Sequence, residues 1–157
     1  MIVVIGHLRD DLGTYEYFDF DLSPEDSGEG CSLLTPVHAS CSVVFGGNAF
    51  LVSGKLNARV EMPCVRCLTP VVQELDFDFD EEFDEALLPG EEASLDLGDL
   101  AAQTWLTSLP MRVLCKEDCA GLCPQCGKNL NDGPCDCKEE ELDPRLEILK
   151  EYRDKEE

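Results

Sequence analysis

The chain has 157 residues with 34 acidic and 12 basic side chains, a formal net charge of −22, and 43% hydrophobic residues. This length suits one compact domain with a small appendage, and the apolar share argues against wholesale disorder. No stretch approaches the ~20 consecutive apolar residues of a membrane span, and the first residues do not resemble a secretory signal. The negative charge disfavours a protein that coats nucleic acid by neutralising its phosphates.

The first half of the chain is predicted to form short strands joined by tight turns. Apolar and polar residues alternate, or a short apolar run lies between turn signals, at residues 2–5, 15–22, 41–45, 49–52, 56–62 and 74–80. A loop is predicted at residues 23–30, and a turn at Gly54 and Lys55. Alternation of this kind favours an antiparallel sheet with one buried face over parallel βαβ units.

Two helices are predicted after the strands. Asp99 can cap a helix over residues 99–109, in which the apolar stripe around Trp105 is predicted to face the core. The second helix is predicted near the C-terminus, because Asp143 and Pro144 have the order of a cap followed by a proline at the first helical position.

The ten cysteines are far above ordinary usage. Because no export signal is recognised, we expect a reducing cytosol, where thiols bind metal rather than form disulfides. Six of the ten lie in residues 115–137, where Leu122 and Leu130 are the only sizeable apolar side chains. Such a segment cannot offset its ordering entropy by burial, so a metal is predicted to hold it.

Two cysteine pairs in this segment predict a structural zinc site. Cys123 and Cys126 are separated by two residues, and Cys135 and Cys137 by one. A pair separated by two residues can supply two ligands from one tight turn, and a second pair completes a tetrahedron of thiolates. Bound zinc could contribute about 10–16 kcal/mol of folding free energy, whereas one buried leucine contributes about 1.5–3 kcal/mol.

A second zinc site is predicted from the four cysteines Cys64, Cys67, Cys115 and Cys119. This partition leaves no pair unused and makes both ions structural, since a catalytic zinc keeps one position open for water. An alternative partition leaves the last pair unused and groups the four cysteines Cys115, Cys119, Cys123 and Cys126.

We therefore predict an α+β fold: an antiparallel β-sheet of five to seven strands with a central helix, and a cysteine-rich, zinc-bound C-terminal module ending in a helix. The predicted domains are residues 1–110 and 111–157, packed together through Cys64 and Cys67.

Several cysteines and both histidines have other possible roles. Cys64 and Cys67 could form a thiol redox pair with Arg66 lowering a thiol pKa, although this leaves six further cysteines without a role. The two histidines, His7 and His38, are interpreted as ordinary surface residues. Cys31 and Cys41 are not predicted to be ligands.

Four basic residues cluster near the cysteine pairs: Arg66, Arg112, Lys116 and Lys128. They could form one positive patch for RNA on an otherwise acidic protein. They could equally balance thiolate charge, because four thiolates on one zinc leave a formal charge of −2. Both interpretations stay open at the level of sequence.

The cysteine segments resemble a known family. The match is carried by Cys64-Val65-Arg66-Cys67, by residues 115–131 from Cys115 through the Cys123-Pro124-Gln125-Cys126-Gly127 string to Asn131, and by Cys135-Asp136-Cys137. The sequence resembles the bacterial YceD-type family, named for accumulation of the large-subunit (23S) ribosomal RNA. The resemblance spans about residues 45–155, and residues 1–40 match only loosely.

The resemblance implies a non-enzymatic, cytoplasmic ribosome-biogenesis factor that supports synthesis, processing or stability of 23S ribosomal RNA. Its partner would be a large-subunit precursor, reached through the basic patch or through a basic ribosomal protein. No membrane or small-molecule partner is expected. Two rival hypotheses remain: a zinc-stabilised acidic protein adaptor unrelated to RNA, and the thiol redox protein.

Overall fold

The computed structural model describes residues 1–24, 28 and 30–137. These residues form seven strands and one α-helix, namely β1 (Ile2–Val4), β2 (Tyr15–Leu22), β3 (Ser32–Leu33), β4 (Val37–Phe45), β5 (Ala49–Pro63), β6 (Pro70–Asp84), β7 (Ser94–Asp96) and α1 (Leu97–Ser108). The predicted antiparallel sheet with a central helix is confirmed. The helix predicted at Asp143 and Pro144 lies outside the described residues.

The strands form two antiparallel sheets rather than one. In the larger sheet β5 pairs with β6 along one edge and with β4 and β3 along the other, and β2 pairs with β4. The smaller sheet consists of β1 and β7. The strands β5 and β6, each 15 residues long, form a hairpin that pairs from Ala49 with Asp84 to Pro63 with Pro70.

The larger sheet has one buried face and one solvent-exposed face. Along β5 the side chains of Val52, Leu56 and Val60 are fully buried, whereas Lys55 and Arg59 between them are exposed. The period of two in the sequence therefore sets which face each residue occupies.

The helix α1 contributes the largest buried side chain of the core. Trp105 is fully buried, and its ring lies 5.5 Å from that of Phe77 on β6. Leu97 and Ala101 are buried on the same helix. The prediction that Trp105 is a core residue is confirmed. No helix in the described part of the chain is long and apolar enough to cross a membrane.

The predicted helix boundary at Asp99 is wrong by two residues. The helix begins at Leu97 and is capped by Asp96, whose Oδ1 accepts hydrogen bonds from the backbone N–H groups of Gly98 at 3.0 Å and Asp99 at 3.1 Å. Both aspartates suit an N-cap. Asp96 is the cap because the helix includes Leu97, whose side chain is buried in the core.

The predicted turn at Gly54 and Lys55 is also wrong, because β5 runs through both residues. A Cβ atom on Gly54 would lie 2.6 Å from Cβ of Cys41 and 2.8 Å from Cε1 of Phe79. Glycine is present because neighbouring strands pack closely there, which is a recognised use of glycine inside a strand. Strand β4 begins at Val37, four residues before the strand predicted at 41–45, and so includes His38.

The contact at Gly54 makes a stability prediction. We expect Gly54→Ala to lower the free energy of unfolding of the sheet by about 1–3 kcal/mol, the usual cost of overpacking. Denaturant unfolding followed by the fluorescence of the single tryptophan, Trp105, measures this. Gly46→Ala is a control for added volume, since its φ is not left-handed and its Cβ position would make only ordinary contacts, at 3.7 Å from the carbonyl oxygen of Ala49 and from Cδ1 of Leu51. An unchanged midpoint for Gly54→Ala would contradict the prediction.

The chain divides into two compact units, one from Met1 to Cys119 and one that begins at Ala120. Cys115 and Cys119 thus belong to the unit of the sheet. The predicted domain organisation, with a boundary after residue 110 and packing through Cys64 and Cys67, stays a prediction.

Candidate metal centres

The first cluster of cysteines lies in the unit of the sheet. Its members are Cys64, Cys67, Cys115 and Cys119, and their sulfur atoms all lie within 4.8 Å of one another. The Sγ atoms of Cys64 and Cys119 are 3.8 Å apart, and those of Cys67 and Cys115 are 3.5 Å apart. The two pairs are joined although Cys67 and Cys115 are 48 positions apart in the chain.

Half of this cluster comes from the loop of the β5–β6 hairpin. The loop begins at Cys64, whose backbone N–H donates to the carbonyl oxygen of Thr69 at 2.9 Å. The N–H of Leu68 donates back to the carbonyl oxygen of Cys64, also at 2.9 Å. Leu68 has a φ of 58°, the only non-glycine residue with positive φ in the described part of the chain. We call this loop, residues 64–69, the first knuckle.

The other half of the cluster is tied to the first knuckle by backbone and side-chain hydrogen bonds. The N–H of Val65 donates to the carbonyl oxygen of Val113 at 2.9 Å. The guanidinium group of Arg66 donates through Nη1 to the carbonyl oxygen of Cys119 at 2.9 Å. These two bonds hold the segment containing Cys115 and Cys119 against the hairpin loop.

The second cluster lies in the unit that begins at Ala120. Its members are Cys123, Cys126, Cys135 and Cys137, and their sulfur atoms also lie within 4.8 Å of one another. The Sγ atoms of Cys123 and Cys135 are 3.4 Å apart. Cys123 is buried and Cys126 is exposed, so this cluster is open to solvent on one side.

The two clusters contain the same local turn. The N–H of Cys123 donates to the carbonyl oxygen of Lys128 at 2.8 Å, and the N–H of Gly127 donates to that of Cys123 at 2.9 Å. Gly127 has a φ of 71° and occupies the position that Leu68 occupies in the first knuckle. We call residues 123–128 the second knuckle. The repeated geometry follows from the shared pattern of two cysteines separated by two residues.

Side chains brace the second cluster. The Nζ of Lys128 donates to the carbonyl oxygen of Pro134 at 2.7 Å, which links the knuckle to the segment before Cys135. Asn131 accepts a hydrogen bond from the backbone N–H of Ala120 through Oδ1 at 3.0 Å. Sequence reasoning missed this role for the asparagine, because its spacing to Ala120 carries no recognisable signal.

The positive φ of the second knuckle makes a prediction. We expect Gly127→Ala to weaken metal binding in the second cluster about fivefold, because an L-residue with left-handed φ costs about 1 kcal/mol. No heavy atom lies near the Cβ position, so the cost is purely conformational. Competition with a chromophoric chelator measures the affinity. An affinity equal to that of the parent protein would contradict the expectation.

The reciprocal variant in the first knuckle serves as the control. Leu68→Gly is expected to be close to neutral or slightly stabilising for the first cluster. Glycine removes the cost of the positive φ at this position. It also makes the unfolded chain more flexible, and the loss of that extra entropy on folding costs about 0.5–1 kcal/mol.

Backbone dipoles favour a thiolate at the first cysteine of each knuckle. Burial raises the pKa of Cys64, but hydrogen bonds from backbone N–H groups, that of Arg66 foremost, outweigh it and lower the pKa to about 6. In the second knuckle the N–H groups of Cys126 and Gln125 lower the pKa of Cys123 to about 6. Both sulfurs thus lie where anionic ligands are stabilised.

The opposite holds for one thiol in each cluster. Burial, followed by hydrogen bonding to Cys67, raises the pKa of Cys115 to about 12. Hydrogen bonding to Cys126, followed by burial, raises the pKa of Cys137 to about 12. Without a cation, therefore, four sulfurs this close together cannot all lose their protons, because their charges repel.

The geometry and the donor set fit a tetrahedral metal ion. Sulfurs at the ~2.3 Å typical of zinc–thiolate bonds would be about 3.8 Å apart, and the closest pairs in the clusters are 3.4–3.8 Å apart. None of the ten cysteines forms a disulfide. Four thiolates with such spacing are typical of zinc or iron sites. Each cluster could therefore hold one metal ion.

The grouping agrees with the two-site partition rather than with a shared site for the middle four cysteines. The assignment of all eight as ligands stays a prediction. Cys31 and Cys41 are buried members of the hydrophobic core. His38 lies on the exposed face of the sheet, with Nδ1 2.9 Å from Oδ1 of Asp21, and Nε2 of His7 lies 3.1 Å from Oε2 of Glu16.

Two of the four basic residues near the cysteines brace a cysteine loop, and the RNA patch stays a prediction. Arg66 and Lys128 each donate to a carbonyl oxygen that holds a cysteine loop in place. All four of these residues are exposed. Half of the predicted patch therefore supports the clusters.

Comparison with known proteins gives a family match over residues 52–152, to the family described as "Large ribosomal RNA subunit accumulation protein YceD". Proteins described as uncharacterized, Rv2926c of Mycobacterium tuberculosis and Mb2951c of Mycobacterium bovis, are each 33% identical to this chain over 113 residues. The match covers 64% of this chain and 54% of each relative, so the chain spans about half the length of the curated relatives it matches. No solved structure matches. The matched range covers most of the chain and all eight clustered cysteines, and the chain belongs to the YceD family.

Proposed function

We propose that this protein is a non-enzymatic ribosome-biogenesis factor of the cytoplasm that supports synthesis, processing or stability of 23S ribosomal RNA. The observation that carries the proposal is the family match over residues 52–152, which includes both cysteine clusters. The family description names large ribosomal RNA subunit accumulation, and the proposal extends that description to this chain.

We propose further that each cluster binds one structural zinc ion. Four protein sulfurs would fill a tetrahedral zinc and leave no position for water or substrate. When bound, zinc supplies folding free energy and neutralises part of the thiolate charge. The residues of the chain do the rest: backbone N–H groups stabilise the sulfurs of Cys64 and Cys123, and Arg66 and Lys128 hold the loops.

Burial of the first knuckle weighs against the thiol redox hypothesis. Cys64 is fully buried and Cys67 is 5% exposed. A redox thiol must be reached by the sulfur of its substrate, and reactive cysteines lie in partially exposed positions. The lowered pKa of Cys64 fits a ligand equally well, since metal ligands are thiolates.

The charge distribution favours a basic protein partner over direct contact with RNA. On the four long strands the exposed face carries a large excess of carboxylates, which repel a phosphate backbone. Of the four residues of the predicted RNA patch, Arg66 and Lys128 are engaged in bracing the clusters. We therefore propose a basic ribosomal protein as the primary partner, with Arg112 and Lys116 as the remaining candidates for RNA contact.

The same acidic face supports a second candidate, a zinc-stabilised protein adaptor unrelated to RNA. Both candidates have the same proposed metal sites and bind a basic protein. They differ in whether that protein belongs to a ribosomal assembly. For the first candidate, the protein should travel with large-subunit precursors in a sucrose gradient.

Depletion in the native host tests the proposed function. We expect the ratio of 23S to 16S ribosomal RNA to fall and free small subunits to accumulate. Restoring the parent protein should restore the ratio, which controls for indirect effects of depletion. Unchanged subunit ratios together with absence from the precursor fractions would refute the assembly role and leave the adaptor.

A further inference from the structure

The exposed face of the larger sheet carries a large excess of negative charge. Cross-strand register places the side chains of alternate residues of β2, β4, β5 and β6 on this one face. It carries two basic residues, Lys55 and Arg59, and nine carboxylates: Asp19, Asp21, Glu61, Glu74, Asp76, Asp78, Asp80, Glu82 and Asp84. The excess of like charges costs free energy in the isolated protein, and a cationic partner would relieve it.

Both basic side chains of the face already have partners. Lys55 Nζ lies 3.0 Å from Oδ1 of Asp78, and Arg59 Nε lies 3.7 Å from Oε1 of Glu74. Asp80 and Glu82 instead lie opposite Ser53 and Leu51. Four of the six acids in this row of β6 therefore have no basic residue directly opposite on β5: Asp76, Asp80, Glu82 and Asp84.

An aromatic pair at the opposite edge of the sheet is aligned with two of these acids, Asp80 and Glu82. Tyr15 and Tyr17 on β2 are 55% and 75% exposed, and their rings stack with centroids 6.3 Å apart. The described part of the chain buries neither ring, so the two tyrosines do not belong to the core. Exposed tyrosines are enriched where proteins bind proteins, and aromatic faces attract lysine and arginine.

Two serines separate Tyr17 from Asp80 across the sheet. Register aligns Tyr17, Ser42, Ser53 and Asp80 in one row across the four strands. Strands are ~4.8 Å apart, so the tyrosines and the acids are roughly 14 Å apart across a shallow floor. That width accommodates one polypeptide segment, since an α-helix with side chains is about 10–12 Å across. Towards the other end, the same face has a hollow of about 430 Å³ lined in part by Asp21, His38 and Asp76.

We propose that this face, formed by β2, β4, β5 and β6, binds a lysine- and arginine-rich segment of a partner protein. The aliphatic stems of the basic side chains pack on Leu51 and the tyrosines, and their charged ends reach the carboxylates of β6. The inference deepens the proposed function and rests on it, because it assigns the basic protein partner to a defined surface.

A direct binding experiment uses the full chain and a fluorescein-labelled peptide of alternating lysine and alanine, followed by anisotropy at low salt. The test variant is Asp76→Asn/Asp80→Asn/Glu82→Gln. The matched control, Asp10→Asn/Glu91→Gln/Glu92→Gln, removes the same charge from exposed residues outside the four strands. We expect the test variant to weaken peptide binding about tenfold and the control by less than about twofold. Tyr17→Ser should weaken it about threefold with unchanged unfolding.

Several outcomes would overturn the proposal. Equal weakening by both triple variants would show attraction to net charge alone. A test variant that self-associates in sedimentation yet binds the peptide normally would show that the acids only protect the sheet edge. Tight binding of a labelled single-stranded RNA oligonucleotide, lost in the test variant, would assign the face to RNA.

The sucrose-gradient experiment separates failure of this proposal from failure of the proposed function. If the test variant still travels with large-subunit precursors as the parent does, the face is not the docking surface, but the assembly role stands. If the parent protein binds the peptide through the face but never travels with precursors, the assembly role fails and the surface assignment stands.

Discussion

Replacing Cys123 by serine is expected to remove one of two metal ions and to unfold the segment from Ala120 while the sheet stays folded. A serine hydroxyl is a poor ligand for a metal that prefers thiolates. The segment from Ala120 to Cys137 has two leucines, worth at most about 1.5–3 kcal/mol each, whereas a structural zinc contributes about 10–16 kcal/mol. No other described interaction in this segment is large enough to replace the metal.

Metal analysis and two spectroscopic measurements check this expectation. The metal content should fall from two ions per chain to one, and the amide NMR signals of residues 120–137 should lose their dispersion. The fluorescence of Trp105, which is buried in the other unit, should not change. Cys31→Ala is the matched control, because Cys31 lies in the core and outside both clusters. Retention of two ions and of native signals would disprove a metal-held segment.

Replacing Cys67 by serine is expected to destabilise the sheet itself. The first cluster joins Cys67 to Cys115, and the metal would act as a cross-link that closes a loop of 48 positions. The chain-entropy treatment of cross-links assigns about 4 kcal/mol to a loop of this length. The second cluster should keep its ion, since all four of its sulfurs lie in its own unit.

Denaturant unfolding followed by Trp105 fluorescence measures this loss. Cys115→Ser, at the other end of the same loop, should cost a similar amount. The double variant Cys67→Ser/Cys115→Ser should cost no more than either single variant, because the cross-link can be removed only once. Additive losses would mean that the two cysteines stabilise the protein independently, which would exclude a shared metal.

The pattern of apolar residues predicted the buried and exposed faces of the longer strands, but not the short strands β3 and β7 or the continuity of β5 through Gly54. The alternation in residues 15–22 and 74–80 predicts which side chains are buried, because successive side chains of a strand point to opposite faces. The helix around Trp105 was predicted for the same local reason. The pattern did not separate Asp96 from Asp99 as the cap, since both suit that position and the burial of Leu97 decides.

Gly54 illustrates where local signals mislead. A glycine followed by a lysine between apolar residues has the composition of a turn. In the structure it lies inside a 15-residue strand, because Cys41 on one neighbour and Phe79 on the other leave no room for a Cβ atom. Both neighbours are distant in sequence, so no local pattern could reveal the contact.

The sequence alone determined the pairing of cysteines within each knuckle, because two residues between them suffice for one tight turn. It also determined the excess of negative charge and the alternation that directs it to one face. The sequence favoured two four-cysteine groups but left another partition open, and only the tertiary structure decided that Cys64 and Cys67 join Cys115 and Cys119. Only the tertiary structure showed that tyrosines and carboxylates share one open face. Those arrangements depend on strand register and on closing a long loop, which are properties of the folded chain rather than of any short segment.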